Sequence, residues 1–175
     1  MRLFVAAELP PNLAEALSET SALLRSCVHG RYVAPDSFHV TLAFLGERAG
    51  SEVTELESVL GEACESCAAF NTALGALGTF GRANRATLWQ GFSSGNEQWA
   101  SVVSEVQRGL STVGYTPEHK RFVPHVTLMR RADISHVALP MPCVERGRID
   151  TVTLFLSDLS GSRPRYEALA RIGLR

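Results

Sequence analysis

The sequence predicts one bilobed α+β domain covering residues 1–175. Three observations predict it. Runs of twofold alternation and runs of 3.6-residue periodicity succeed one another along the whole chain. A strand–helix–strand unit occurs twice, from Leu3 to His39 and from Leu88 to His125, with separations of 36 and 37 residues. No Pro-, Gly- or Ser-rich linker divides the two units, so their lobes are expected to interweave. With 175 residues and 45% apolar content, the chain can bury a sizeable core.

The elements follow in order. Leu3 to Leu9 is a mostly apolar strand stopped by Pro10-Pro11. A helix is expected over residues 12–27, with Leu13, Leu17, Leu24 and Val28 near helical spacing. Pro35-Asp36-Ser37 is a turn, and Phe38 to Leu45 is a strand ended by Gly46. Its alternation places Phe38, Val40, Leu42 and Phe44 on one face and His39, Thr41 and Ala43 on the other. A second helix, residues 51–68, has Ser51 as its expected N-cap and a stripe of Val53, Leu56, Leu60, Ala63, Cys64 and Cys67. Strands near 71–77 and 86–92 flank a loop containing Gly81-Arg82-Ala83-Asn84-Arg85. A third helix, residues 97–113, carries the clearest stripe (Trp99, Val102, Val103, Val106, Leu110, Val113) and ends at Gly114. The strand 124–129 repeats the earlier histidine strand, and two alternating strands around Leu154 and Ala170 close the chain.

Composition removes several classes. Net charge is −1, whereas a protein that wraps nucleic acid carries a basic excess to displace counterions. Local basic groups remain: Lys120-Arg121, Arg130-Arg131, Arg146 with Arg148, and Arg163 with Arg165. No apolar run reaches the roughly 18 residues of a membrane span. The first residues turn acidic at Glu8, too soon for a signal peptide, so a cytoplasmic protein is expected. Cys64-x-x-Cys67 lies inside a helical pattern, and Cys27 and Cys143 supply no second such pair. Buried structural thiols are expected, not a zinc or redox centre.

The chemistry is carried by twin tetrapeptides, His39-Val40-Thr41-Leu42 and His125-Val126-Thr127-Leu128. Identity alone is weak, and a lone strand histidine is usually structural. The matched context raises the signal. On a strand, residues i and i+2 point the same way, so each motif presents an imidazole beside a hydroxyl. If the strands face each other, two His and two Thr converge. Opening a cyclic phosphodiester needs one group to take a proton from water and another to give one to the leaving oxygen. Histidine does both near neutral pH. Hydroxyls can bind the non-bridging oxygens, and Arg130, five residues after His125, has a fork that suits phosphate. A metal site would want further ligands at a telling spacing, and His119 is near only in sequence.

These residues resemble a known family, the two-histidine phosphoesterases. Within it they resemble the RNA 2′,3′-cyclic phosphodiesterases of the LigT/ThpR type, formerly called 2′-5′ RNA ligases. The resemblance covers essentially the whole chain. It runs through residues 1–10, the segment from Tyr32 to Gly46, Leu88-Trp89-Gln90-Gly91, the segment from Arg121 to Arg130, Leu154 to Ser157, and Arg165-Tyr166. The loop 81–85 departs from it in lacking a proline.

The resemblance implies a pseudo-twofold fold in which two antiparallel sheets line a central cleft with helices outside. It implies hydrolysis of a 2′,3′-cyclic phosphate, on an RNA 3′ end or a nucleotide, to a 2′-phosphate, by a monomer without metal or other cofactor. It makes His39 the proton donor and His125 the acceptor, in roles that near-symmetry makes easy to exchange. Thr41, Thr127 and Arg130 would hold the phosphate. Phe44 stands where the family places an aromatic near the base, but its strand parity puts it on the core face. Three other readings stay open: a binding module for RNA ends or nucleotides without catalysis, activity mainly on small cyclic nucleotides or 2′-5′ linkages, and a metal hydrolase.

Overall fold

The computed structural model describes residues 1–117, 121–161 and 163–175, so His119 and Lys120 lie outside the described residues. The chain runs β1 (Arg2–Ala7), α1 (Pro11–Arg25), β2 (His29–Tyr32), β3 (Val40–Glu47), α2 (Val53–Glu65), β4 (Phe70–Phe80), β5 (Ala86–Ser94), α3 (Asn96–Ser111), β6 (His125–Asp133), β7 (Arg146–Ile149), β8 (Thr151–Asp158) and β9 (Arg165–Gly173). Short 3₁₀ turns precede β3, α2 and β5.

The strands form two antiparallel sheets, ordered β3-β1-β8-β9 and β2-β6-β5-β4-β7. The first four-strand order reappears in the second sheet as β6-β5-β4-β7, with β2 added at its edge. Each histidine strand thus pairs with the strand that opens its repeated unit: β3 with β1, and β6 with β5. The antiparallel pairing and the α+β class are as the sequence and the resemblance lead one to expect.

The helices tie the sheets into one continuous core. On α1, Asn12 Nδ2 donates to the Arg146 carbonyl of β7 at 2.6 Å. Thr20 Oγ1, buried on the same helix, accepts the Cys143 N–H at 3.0 Å. The α3 stripe buries Trp99, Val102, Val103, Val106 and Leu110. The Trp99 ring stands 5.0 Å from both Phe70 and Phe92, on β4 and β5. One turn before its end, α3 reaches the other sheet, where Gln107 Nε2 donates to the Leu42 carbonyl of β3 at 3.2 Å. Gly114 takes φ +81°, the left-handed conformation expected just past a helix end.

Several expectations need correction. Strands β2 and β7 have no counterpart in the sequence reading, because His29–Tyr32 and Arg146–Ile149 are short, mostly exposed edge strands without an apolar pattern. Ser51 does not cap α2. The helix begins at Val53 after a 3₁₀ turn, and the Glu52 carboxylate accepts the Ala49 N–H instead, at 2.6 Å. Strand β1 stops at Ala7, since Pro10 and Pro11 already start α1. The four cysteines are free, but only Cys64 and Cys67 are buried as expected, since Cys27 is exposed and Cys143 half-buried; burial pushes the Cys64 thiol up to about 12, which keeps it inert.

The largest correction concerns Phe44, expected on the core face. Between β1 and β3, Ala6 faces Thr41 and Val5 faces Ala43, so Leu42 is an extra residue. This bulge reverses the side-chain parity beyond it. Val5 and Ala43 point into the core, while Phe44, opposite Phe4, points with Thr41 into the cleft and is 61% exposed. The other lobe repeats the device. Trp89 faces Thr127 and Leu88 faces Met129, so Leu128 is the extra residue. Met129 goes to the core, and Arg130 joins Thr127 in the cleft.

Candidate active site

A cleft of about 520 Å³ lies where β3 of one sheet meets β6 of the other. His39, Thr41, Phe44, His125, Thr127 and Arg130 all line it. The structure therefore brings together every site residue expected from the sequence.

Each imidazole is held by the same local device. His39 sits just before β3, after the 3₁₀ turn Pro35–Ser37, and its Nδ1 lies 2.8 Å from the Ser37 carbonyl. His125 opens β6, and its Nδ1 lies 2.6 Å from the Val123 carbonyl. A carbonyl can only accept, so Nδ1 carries the hydrogen in both rings. In the neutral state each Nε2 then holds a lone pair. At His39 that lone pair accepts from Thr41 Oγ1–H at 3.1 Å. Among the described residues nothing hydrogen-bonds Nε2 of His125.

Aromatic rings wall both imidazoles. Phe4 stands 5.0 Å from His39 in a tilted arrangement, and Tyr166 meets it edge-on at 5.3 Å. Phe80 meets His125 edge-on at 5.0 Å, and Trp89 lies tilted at 5.6 Å. These walls desolvate the rings. Burial is the main cause that lowers the His39 pKa to about 4, with the charges of Arg130 and His125 adding to it against the Ser37 hydrogen bond. The His125 pKa is also lowered, first by burial and then by Arg130, against the Val123 hydrogen bond. Both shifts favour the neutral imidazole at pH 7. The Arg130 charge is felt at both rings, so one cation in the cleft acts on two proton carriers.

Sequence reasoning missed Phe80, Thr87, Gln107 and Tyr115, which also line the cleft. Gln107 is a polar residue flanking an apolar stripe, and nothing in its spacing distinguishes it from a solvated one. Of the basic groups, Arg121 and Arg130 reach the cleft, and Arg163 lines a neighbouring hollow. Arg131, Arg146, Arg148 and Arg165 line neither. Among the described residues, no three His, Cys, Asp or Glu side chains gather to hold a metal ion. Among the described residues, no helix is long and apolar enough to cross a membrane.

Comparison with known proteins identifies relatives of the whole chain. The chain is 28% identical over 174 residues to an RNA 2′,3′-cyclic phosphodiesterase of Escherichia coli strain K12, covering 99% of this chain and 96% of that protein. It is 30% identical to one from Aquifex aeolicus over 148 residues, 79% of each chain. The solved structure of E. coli LigT complexed with 3′-AMP superposes with a TM-score of 0.83 at 27% identity, over 99% of this chain and 97% of that one. Residues 9–140 match the family model of the 2′-5′ RNA ligase superfamily, and the chain belongs to that superfamily.

Proposed function

We propose that the protein hydrolyses the 2′,3′-cyclic phosphate of an RNA 3′ end or nucleotide to a 2′-phosphate, by paired-histidine catalysis without a metal ion. One observation carries this reading. Two imidazoles line one cleft, each with Nδ1 tied to a backbone carbonyl and Nε2 left to do chemistry, and Arg130 lines the same cleft. The names of the relatives support the substrate class.

The steps balance as follows. Water gives a proton to Nε2 of His125, and its oxygen attacks phosphorus. The bond from phosphorus to the 3′ oxygen breaks, and that oxygen takes a proton from Nε2 of His39. The phosphate stays on the 2′ oxygen. The unbonded Nε2 of His125 favours it as the acceptor. His39 must carry a proton to act as donor, although burial disfavours its charged form. The bound phosphate supplies the compensation. Its negative charge offsets Arg130 and raises the pKa of a neighbouring imidazole. The Thr41 and Thr127 hydroxyls and the Arg130 fork hold the non-bridging oxygens, where charge develops.

The test is hydrolysis of 2′,3′-cyclic AMP, and of a short RNA ending in the same group, in the presence of a chelator, with the product assigned by phosphorus NMR. The expected product is the 2′-phosphate. His39→Ala and His125→Ala should each slow the reaction by about 10²–10⁴-fold with unchanged circular dichroism. A substrate that binds but stays intact would mark a binding module. Loss of activity with chelator would mark a metal hydrolase.

A further inference from the structure

A second hollow, about 430 Å³, adjoins the cleft. Arg25, Arg31, Arg130 and Arg163 line it together with Tyr32 and Tyr166. It shares Val33, Ser37, Arg130 and Tyr166 with the cleft, so the two form one continuous surface. Its arginines come from four places in the chain: the end of α1, β2, β6, and the turn between β8 and β9. In a protein of net charge −1 this is a marked local concentration of cations. Among the described residues, no Asp or Glu lines the hollow and no carboxylate pairs with Arg25, Arg130 or Arg163. Arg25 lies over the Tyr32 ring, 4.4 Å from its centroid. Stacking of this kind orders a guanidinium and leaves its in-plane N–H groups available to an oxyanion.

We propose that this hollow is a second phosphate subsite, taking the phosphate on the 5′ oxygen of the nucleotide whose cyclic phosphate sits at the histidines. The proposal rests on the function proposed above. Arg130 and Tyr166 line both, so the two subsites adjoin, as the two phosphates of one nucleotide require. The ligand class is a phosphate with no base to read, which fits a protein that engages RNA only near its end. A cyclic nucleotide with a free 5′ hydroxyl leaves the subsite unused. A 5′-phosphorylated one, or the last nucleotide of an oligomer, fills it.

The test compares 2′,3′-cyclic AMP, its 5′-phosphorylated form and an adenosine dinucleotide ending in a 2′,3′-cyclic phosphate. The wild type and the double variant Arg25→Gln/Arg163→Gln are assayed on all three. In the wild type, KM for the two substrates with the extra phosphate should be lower by about tenfold, the sum of two modest exposed ion pairs. The variant should lose that advantage and keep its rate on 2′,3′-cyclic AMP. Equal KM values in the wild type, or an advantage that survives in the variant, would overturn the subsite and leave the proposed function standing.

If no substrate turns over, the proposed function fails, and the subsite is read by binding alone. A labelled dinucleotide ending in a 2′-phosphate is titrated at several salt concentrations. The slope of log K against log salt should be about 0.7 steeper for the wild type than for the variant, as for one more neutralised phosphate. Equal slopes would overturn it.

Discussion

Phe44 and Arg130 occupy equivalent places in the two lobes, each three residues past the threonine of its motif and each turned into the cleft by a bulge at the motif's leucine. On a regular strand, a residue three past the threonine faces the other way. The extra residue at Leu42 or Leu128 restores it to the cleft. The leucine of the repeated tetrapeptide thus has a geometric role as well as a place in the core. A duplicated scaffold presents an aromatic on one side and a cation on the other. That asymmetry gives the cleft an aromatic side and a charged side.

For Arg130 the prediction concerns protons as much as binding. Its charge lowers the pKa of both His39 and His125. Arg130→Ala should therefore raise both imidazole pKa values, read by NMR titration of the ring protons. It should also lower kcat/KM by roughly 10–100-fold, the size of a lost hydrogen bond to a charged group. Arg130→Lys should restore the downward pKa effect but only part of the rate, because a point charge lacks the bidentate fork. A lysine variant with full activity would show that charge alone suffices.

Phe44 is 61% exposed, so its truncation should change stability by no more than about 0.5 kcal/mol. If it stacks on the base, Phe44→Ala should raise KM for a cyclic nucleotide by an amount worth about 1–3 kcal/mol and leave kcat nearly unchanged. Phe44→Trp should retain the low KM. Thermal melts and steady-state kinetics on the same preparations separate the two effects. An unchanged KM would assign the exposed ring to another purpose.

The sequence made the histidines, their threonines and Arg130 legible, because the twin motifs lie in long strands with strong alternation and stand at matched places in a repeated unit. The three helices were legible for the same reason: their apolar stripes are the ones buried in the structure. Phe44 was misplaced because parity assumes a regular ladder, and a single inserted residue is invisible in an apolar run such as Val40 to Leu45. Strands β2 and β7 escaped because an edge strand is specified by its neighbour's hydrogen bonds and not by its own apolar pattern. The Arg25–Arg163 hollow was illegible because Arg25 and Arg31 stand far along the chain from Arg130 and Arg163, and the two groups meet only through the sheet order.

Acid should destabilise the fold through His39. Its folded pKa, about 4, lies below the ordinary 6.5. Above pH 6.5 the ring is neutral in both folded and unfolded chains, and it exacts no penalty. As pH falls from 6.5 towards 4, the unfolded chain binds the proton first, so stability is lost. Below 4 the loss is complete, about 3 kcal/mol at ~1.36 kcal/mol per pKa unit. The lowered pKa of His125 acts in the same direction. Urea denaturation between pH 8 and pH 4 should show the decline. His39→Gln, which keeps a donor for the Ser37 carbonyl, should flatten it. A variant that tracks the wild type across that range would place the acid sensitivity elsewhere.

A pair of glycine substitutions tests how the aromatic walls are held. Gly78 in β4 lies opposite Trp89 in β5, and a Cβ at position 78 would run into the indole ring. Gly91 supports the same ring from its own strand, where an added Cβ would lie 3.0 Å from Trp89 Cζ3. The indole therefore lies flat across two glycines and packs 5.6 Å from His125 and 5.1 Å from Phe80. Gly78→Ala must lift the ring towards His125. It should cost about 1–3 kcal/mol, as overpacking does, and should lower kcat more than it raises KM, because the imidazole moves while the phosphate-binding groups stay. Gly61→Ala is the control. That glycine sits within α2 with nothing within 4 Å of an added Cβ. It should stabilise the protein by roughly 0.5–1 kcal/mol through helix propensity alone and leave kcat unchanged. If Gly78→Ala behaves like Gly61→Ala, the indole is free to shift and does not position His125.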